Sequence, residues 1–231
     1  MVQFDMDSPV EVMVKKNNGL IQDVQIRPLI KGIRHTVNRN TILFTLEKPQ
    51  YLSIEFNGDR LHNLHLFANP LETETYTESS AQVMYFGPGV HRPEDVPNNQ
   101  IRIPSNTTVY LAPGAVLKAK LLVDKAENVR IIGRGILDHP IRGIEVTYSQ
   151  NVLITVVNPE HYTVFGGEAT GLTVKNLKSF SCKGWSDGID LMCCNDVLID
   201  NVFMRNSDDC IAIYAHRWSY YGGSKNVTLQ N

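Results

Sequence analysis

The sequence predicts an all-β protein in which a small antiparallel β-sandwich is followed by a parallel β-helix. Short alternating strand patterns, separated by turns, fill residues 1 to about 85, and no helical period competes with them. From about residue 105 onward one strand pattern recurs every 20 to 30 residues, which is typical of stacked coils. We therefore expect two domains, a β-sandwich over residues 1–85 and a β-helix over residues 86–231.

The N-terminal region contains four clear strand patterns, at residues 10–14, 41–46, 51–56 and 61–68. The third pattern ends at Asn57-Gly58-Asp59, a strong turn signal. Short alternating strands with turns at this spacing are typical of antiparallel sandwiches. A segment rich in Thr, Ser and Glu at residues 72–82 then predicts a linker to the second domain.

The repeat of the second domain consists of a turn residue followed by two apolar positions that one residue separates. Its first apolar position falls at residues 109, 129, 152, 172, 197 and 227, with spacings of 20, 23, 20, 25 and 30 residues. One coil cannot bury its inward side chains alone, so we expect successive coils to stack in parallel and share a core. Leucine-rich repeats have a similar period, but these segments lack the L-x-x-L-x-L consensus and the helical stretch.

Charge and hydropathy exclude several classes of partner. The 22 basic and 24 acidic residues give a net charge of −2, so there is no basic surface for nucleic acid. No apolar run approaches the ~18 residues that a membrane-spanning helix needs. Residues 1–7 also lack the basic and apolar regions of a signal peptide. We expect no nucleic-acid or membrane partner.

The cysteines and histidines do not predict a metal site. None of the cysteines forms a C-x-x-C pair, and two are sequence neighbours that would point to opposite faces of a strand: Cys182, Cys193, Cys194 and Cys210. We expect free thiols, with a bridge between the first and the last as the alternative. The histidines in strand patterns lack accompanying carboxylates or thiols: His62, His65 and His91. No metal or other cofactor is expected.

Four carboxylates fall within two short segments whose other residues are mostly small or apolar. These segments are S-D-G-I-D at residues 186–190 and S-D-D-C-I-A-I-Y at residues 207–214. Asp187 and Asp208 are 21 residues apart, one period, so we expect them side by side on adjacent coils ~4.8 Å apart. We expect Asp190 and Asp209 in the same outward patch. Carboxylates this close resist simultaneous ionisation, so one should retain a proton at mildly acidic pH, as glycosidase chemistry requires.

These segments resemble the N-T-D-G-x-D and D-D-C-V-A-I motifs of the polygalacturonases, glycoside hydrolase family 28. The resemblance implies a right-handed parallel β-helix that hydrolyses α-glycosidic bonds in pectin with inversion, and a secreted or periplasmic location. It further implies that Asp208 is the general acid. Asp187 and Asp209 are then the bases that position and activate water.

The N-terminal region resembles the dextranase and isopullulanase family, glycoside hydrolase family 49, in which a β-sandwich leads into a β-helix. The second motif of that family usually reads D-D-x-I-K-x-Y; Tyr214 matches it, whereas Ala212 stands at the Lys position. A neutral α-glucan such as dextran or pullulan is therefore the alternative substrate. A calcium-dependent β-helix lyase and a non-catalytic carbohydrate-binding β-helix are further alternatives. The lyase would need a basic residue to abstract a proton, and the acidic motifs contain no Lys or Arg.

Aromatic and basic residues flank the acidic segments. Aromatic rings stack on the apolar faces of sugars, and His and Arg side chains can hold hydroxyl groups or a carboxylate. Packing of the rings against the solenoid is the alternative interpretation. We expect the substrate to be bound by five of these flanking residues and by one residue of the acidic segments: Trp185, His216, Arg217, Trp218, Tyr220 and Asp190.

The polygalacturonase pattern continues with G-H-G about one coil after the second acidic motif, and with R-I-K beyond that. Neither occurs before Asn231, and the repeat ends within a coil. We therefore expect the sequence to be a fragment of a longer enzyme, with little or no activity by itself.

Overall fold

A computed structural model describes residues 1–92, 99–138, 142–155, 158–159 and 163–231. These residues form two compact units, Met1–Thr75 and Tyr76–Asn231. The second unit thus begins ten residues before the domain boundary predicted at residue 86.

The first unit contains seven strands in two sheets and one short 3-10 helix, Leu29–Lys31. The strands are β1 (Val2–Met6), β2 (Val10–Lys15), β3 (Val24–Arg27), β4 (His35–Asn38), β5 (Thr41–Leu46), β6 (Gln50–Phe56) and β7 (Asp59–Pro70). One sheet has the order β1-β7-β6-β3, and the other has the order β2-β5-β4. All strand pairs in them are antiparallel except β1 and β7, which are parallel.

The two sheets of the first unit share one hydrophobic core. In β5 the side chains of Ile42, Phe44 and Leu46 are buried, whereas the intervening Leu43 is exposed, as strand periodicity requires. Leu52 and Ile54 of β6 pack in the same core from the other sheet. The predicted N-terminal sandwich is therefore confirmed. Strands β1, β3 and β4 were not predicted, and the parallel pairing of β1 with β7 makes one sheet mixed.

The second unit is a parallel β-solenoid of about five turns, which confirms the predicted β-helix architecture. Its strands are β8 (Val83–Phe86), β9 (Gly89–His91), β10 (Gln100–Arg102), β11 (Thr108–Leu111), β12 (Ala115–Leu117), β13 (Lys120–Asp124), β14 (Glu127–Gly133), β15 (Ile136–Leu137), β16 (Ile144–Thr147), β17 (Gln150–Thr155), β18 (Asn158–Pro159), β19 (Val164–Gly167), β20 (Thr170–Lys175), β21 (Lys178–Phe180), β22 (Ile189–Met192), β23 (Asn195–Asp200), β24 (Phe203–Arg205), β25 (Ile211–Tyr214) and β26 (Lys225–Gln230).

Successive coils stack these strands into parallel sheets. One sheet has the order β8-β11-β14-β17-β20-β23-β26, a second has β10-β13-β16-β19-β22-β25, and a third has β9-β12-β15-β18. Strands β21 and β24 form a separate pair. The six predicted repeats are six of the seven strands of the first sheet. Inward Val, Ile and Leu side chains of all coils form one continuous core.

The pairing register reproduces most of the predicted spacing. Val152 lies opposite Val129 and Leu172 lies opposite Val152, as the repeat predicts. The first step differs, because Val109 pairs with Ile131 and not with Val129. Side chains alternate along a strand, so this shift of two residues leaves the same apolar face inward and costs no burial.

Turn residues of the repeat are bonded from coil to coil. The amide of Asn128 donates to Asn106 Oδ1 at 3.0 Å, and the amide of Asn151 donates to Asn128 Oδ1 at 2.7 Å. All three residues have positive φ angles, between 52° and 58°. Asn tolerates this left-handed conformation better than most residues, which explains its recurrence at the turn.

Candidate active site

The two acidic segments lie at the starts of consecutive strands in one sheet. β22 and β25 pair in parallel with Ile189 opposite Ile211, a step of 22 residues. Extending this register toward the N-terminus brings Asp187 level with Asp209. The expectation that Asp187 and Asp208 occupy equivalent positions is therefore wrong by one residue, because the coil between the strands is one residue longer than the 21-residue spacing implied.

Gly188 permits the close approach of the two segments. Its N–H donates to the Asp209 carbonyl oxygen at 2.8 Å. A Cβ at this position would overlap the Met204 side chain and the Cys210 carbonyl oxygen. Only glycine fits between the acidic residues of the first motif, and the two coils therefore meet without an intervening side chain.

Asp187 and Asp190 form a carboxyl pair at the base of the site. Asp190 is 3% exposed and Asp187 is half-buried. A hydrogen bond joins their side chains, and the Oδ1 atom of each is buried without a hydrogen-bond partner among the residues that the structure describes. The burial of Asp190 corrects the predicted outward position.

Burial raises the pKa of Asp190 to about 7, and the charge of Asp187 and the hydrogen bond that Asp190 donates to it act in the same direction. Burial also raises the pKa of Asp187; the hydrogen bond to Asp190 opposes this, and the charges of Asp208 and Asp209 reinforce it. Arg217 lowers the pKa of both carboxyl groups. The proton that the sequence led us to expect among the four carboxylates is therefore held by the Asp187–Asp190 pair up to about neutral pH.

Asp208 and Asp209 form the exposed side of the carboxylate cluster. The Asp209 N–H donates to Asp208 Oδ1 at 3.0 Å, which orients the Asp208 side chain. Both carboxylates act electrostatically on Asp187, so all three residues predicted to be catalytic lie in one cluster. Their exposure leaves Asp208 and Asp209 accessible to a polymer from solvent.

The segment after β25 carries a stack of arginine and aromatic side chains. Arg217 lies over the rings of Tyr214 and Trp218, at 4.5 Å and 4.8 Å from their centroids. The guanidinium group of Arg142 lies 4.4 Å from the centroid of Phe165 and 5.2 Å from that of Trp218. Trp218 remains 53% exposed. Two cationic groups therefore lie beside an accessible indole ring, close to the carboxylate cluster.

Tyr220 anchors this segment to the solenoid. Its ring packs against Phe165 and Tyr148, at centroid distances of 5.7 Å and 5.8 Å, and it covers the space that a side chain at Gly167 would fill. The Tyr221 N–H also donates to Glu168 at 3.1 Å. Tyr220 therefore packs against the solenoid, as in the alternative interpretation of the aromatic segment, while part of its side chain remains exposed.

Trp185 and His216 are both accessible. Trp185 lies in the turn before the first acidic motif and is 75% exposed, so its ring is available to stack on a sugar. The His216 ring packs edge-on against Tyr221 with centroids 4.3 Å apart.

All four cysteines are free, so the alternative bridge between Cys182 and Cys210 is not formed; both are exposed. Cys193 and Cys194 are buried, as expected for unpaired thiols. Within the described ranges, no group of three or more His, Cys, Asp or Glu side chains could hold a metal ion. None of the helical segments in the described part of the chain has the length and apolar character that a membrane crossing requires.

Sequence reasoning missed two contributors to the site. Arg142 precedes Trp218 by about three coils of the solenoid and belongs to no recognisable motif. The sequence therefore gives no sign that the two side chains are in contact. Ser181 lies outside both acidic motifs, yet its hydroxyl group contacts the backbone of each. The role of Ser181 can be recognised only from the structure, in which β21 and β24 are adjacent and bring Ser181 next to Ser207.

The fold and the site together define a class: a parallel β-solenoid whose clustered carboxylates suit acid–base hydrolysis of carbohydrates. Residues 113–229 match the family model of glycosyl hydrolases family 28. This match comprises 117 of the 231 residues, just over half of the chain, and the chain belongs to this family. No curated protein sequence matches the chain significantly.

Solved structures share the fold at low sequence identity. A "putative glycosyl hydrolase" from Parabacteroides merdae ATCC 43184 has a TM-score of 0.51 and 15% identity, over 64% of this chain and 79% of that one. Dex49A from Penicillium minioluteum has a TM-score of 0.50 and 16% identity, over 96% of this chain and 63% of its own. The surface protein and adhesin PfbA of Streptococcus pneumoniae has a TM-score of 0.50 and 13% identity, over 65% of this chain and 52% of its own.

Proposed function

We propose that this chain carries the catalytic centre of an inverting hydrolase that cleaves α-glycosidic bonds of a polysaccharide, with polygalacturonan as the substrate and without a cofactor. The observation that carries the proposal is the carboxylate cluster, in which the exposed Asp208 and Asp209 lie beside the Asp187–Asp190 pair. Inverting hydrolysis needs one carboxylic acid to protonate the leaving oxygen and one carboxylate to activate water. A secreted or periplasmic location would suit a polymeric substrate.

The buried pair explains how Asp187 can act as a base. Burial keeps Asp190 protonated, so its hydroxyl group donates to the Asp187 carboxylate and the pair carries one net charge. Asp187 therefore stays ionised and fixed in orientation, with a proton affinity raised toward the working pH, which favours general-base catalysis. Asp190 thus acts through Asp187, as a positioning residue.

Asp208 and Asp209 complete the proposed mechanism. Asp208 is exposed where a glycosidic oxygen can approach, and we assign it the general-acid role. Asp209 lies level with Asp187, so these two carboxylates can hold a water molecule between them on the other side of the scissile bond. Attack by that water from the face opposite the leaving group inverts the anomeric carbon.

The cationic groups beside Trp218 favour an acidic polysaccharide. Arg142 and Arg217 are held in place by stacking on aromatic rings, and a guanidinium group can bind a uronate carboxylate through two hydrogen bonds. A neutral α-glucan is the second candidate, because the β-sandwich of the first unit and the match of Tyr214 favour a dextran- or pullulan-directed enzyme.

The release of reducing ends from polygalacturonate, dextran and pullulan tests the proposal. It is measured for the longest available chain that contains residues 1–231 and for its Asp208→Asn variant. Loss of the general acid should lower kcat on polygalacturonate by about 10²–10⁴-fold. Asp196→Asn is the matched control, since this exposed aspartate lies on the neighbouring sheet and its amide replacement keeps an acceptor for Asn226.

Each outcome assigns the function. An α-to-β change of the newly formed anomer, followed by NMR, supports inversion, whereas retention contradicts it. Activity on dextran or pullulan alone would replace the uronate substrate with the second candidate. Unsaturated products that absorb ultraviolet light indicate a lyase, and undiminished activity of Asp208→Asn removes Asp208 from the acid role.

A further inference from the structure

One hydroxyl group joins the two acidic segments. Ser181, which follows β21, donates from its Oγ to the carbonyl oxygen of Ser186 at 2.8 Å. The same Oγ accepts the Ser207 N–H at 3.2 Å and the Asn206 side-chain amide at 3.2 Å. A serine hydroxyl has one hydrogen to donate and two lone pairs to accept with, so its full capacity is used here.

The two backbone groups that Ser181 holds directly precede the proposed catalytic residues. The Ser186 carbonyl belongs to the peptide unit that leads into Asp187, and the Ser207 N–H is one residue before Asp208. Ser186 is fully buried, so its carbonyl cannot exchange this bond for one to solvent. The orientation of the Ser186–Asp187 peptide sets the direction of the Asp187 side chain, and the position of the Asn206–Ser207 peptide sets where the chain enters Asp208.

A buried polar layer supports Ser181 from below. The Asn206 amide also donates to Ser179 Oγ at 2.9 Å, and Ser179 Oγ is hydrogen-bonded to Thr163 Oγ1. Ser207 adds a hydrogen bond from its own hydroxyl to the Lys183 carbonyl. Because Gly188 is packed without free space on the same side, the acidic segments cannot shift toward each other, only apart.

We propose that Ser181 is a positioning residue that fixes the separation and orientation of Asp187 relative to Asp208 and Asp209. The proposal rests on the proposed function, since it concerns the same carboxylates. Without the hydroxyl group, the Ser186 carbonyl and the Ser207 N–H lose their common partner and the two segments relax independently. A displacement of 1 Å between catalytic groups can cost about 10²-fold in rate.

Ser181→Ala tests this role, and Ser149→Ala is its matched control. The Ser149 hydroxyl also has three hydrogen-bond partners: its hydrogen is shared between the Val123 and Thr147 carbonyls, and its oxygen accepts from the Ala126 N–H. These partners lie on coils that carry neither of the two acidic segments. Both variants lose a similar set of bonds. Only Ser181→Ala loses a link between the catalytic segments, so stability effects common to both variants are separated from positioning.

Two measurements decide the matter. Carbon-13 NMR titration of the aspartate carboxyls should give a lower pKa for Asp187 in Ser181→Ala, since Asp208 and Asp209 move away, and an unchanged one in Ser149→Ala. On polygalacturonate, Ser181→Ala should lower kcat about 10–100-fold with KM within about twofold. The acidic limb of its kcat–pH profile should move to lower pH, and Ser181→Thr, which keeps a hydroxyl, should restore most of kcat.

Equal titration and kinetic behaviour of Ser181→Ala and Ser149→Ala would overturn the proposal. If Ser181→Ala does not fold, Ser181→Cys replaces it, because the thiol is of similar size and a weak hydrogen-bond donor; its changes should have the same direction. If the protein hydrolyses none of polygalacturonate, dextran and pullulan, the proposed function is wrong. The NMR titration then still supports or overturns the positioning role of Ser181.

Discussion

Replacement of Asp190 by Asn should stabilise the protein, and increasingly so as the pH rises. The amide has nearly the shape of the carboxyl group and can still donate to Asp187. It cannot ionise, however, so the buried site no longer has to accept a second negative charge. The wild-type protein must accept that charge above the pKa of Asp190, which burial and Asp187 raise to about 7.

The size and sign follow from linkage between protonation and folding. Below the unfolded-state pKa of 3.8, Asp190 is protonated in both states and contributes nothing unfavourable. Between pH 3.8 and about 7 the unfolded state ionises first, so wild-type stability falls by at most about 4 kcal/mol. Asp187 is partly solvated and water screens the pair, so we expect Asp190→Asn to gain about 2 kcal/mol over wild type at pH 8 relative to pH 4.

Urea unfolding at pH 4.5, 6 and 8 measures this difference. The only two tryptophans, Trp185 and Trp218, both lie near the carboxylates, so their fluorescence reports on this region. Asp124→Asn is the control of opposite sign: burial raises the pKa of Asp124, but hydrogen bonds from Arg102 and Thr147 outweigh this and hold it below its usual value. Asp124→Asn should lose stability at pH 8, and less as the pH falls toward 4.

A gain from Asp190→Asn that is the same at pH 4.5 and pH 8 would refute the reasoning, since it would show that Asp190 is ionised in both states over the whole range. A loss of stability at pH 8 would go further. It would mean that the carboxylate form of Asp190 is stabilised by a partner, contrary to the burial and like charge seen around it.

Two further predictions concern the support of the site and of the coils. Gly167→Ala should displace Tyr220 and with it the arginine–tryptophan stack, raising KM about tenfold and shifting tryptophan fluorescence, whereas Gly223→Ala, which meets open space, should change neither. Asn151→Ala should lower the free energy of unfolding by about 1–2 kcal/mol, through loss of the bond to Asn128 and strain at positive φ. Asn151→Gly should cost less in urea unfolding, because it loses only the bond; equal costs would contradict the strain component.

The solenoid could be predicted from the sequence because its determinants are local and repeated. Each coil places a turn residue before inward apolar positions. Because this pattern occurs six times in the sequence, it identifies both the fold and the face of each strand that is buried. The register of single steps could not be predicted to the residue. Val109 pairing with Ile131 buries the same face as pairing with Val129, so hydrophobic periodicity does not distinguish the two.

The first unit shows a different limit. β5 and β6 alternate strongly and were predicted, whereas β1 and β4 are largely exposed edge strands with a weak apolar pattern. The parallel pairing of β1 with β7 joins segments about 60 residues apart. No local signal specifies such a contact, because it depends on where the rest of the sheet brings the chain.

The site combines both situations. Asp187, Asp208 and Asp209 could be found because carboxylates among small and apolar residues are unusual, and one period separates them. Arg142 and Ser181 could not, because an isolated arginine or serine in a turn has no distinguishing neighbours in sequence. Their importance comes from stacking: a solenoid places residues about one coil apart at contact distance, whatever their surroundings in the chain.

The added length of the last coils lies in segments that flank one sheet. The turn between β21 and β22 leads into the sheet that contains β22 and β25, and the segment between β25 and β26 follows the last strand of that sheet. The first contains the Ser181 hydroxyl bonds to both acidic segments, and the second carries Arg217 and Trp218. Lengthening either segment changes the site without changing the inward face of any strand. The core therefore constrains the carboxylates to one spacing, while the segments around them are free to vary with the sugar that they bind.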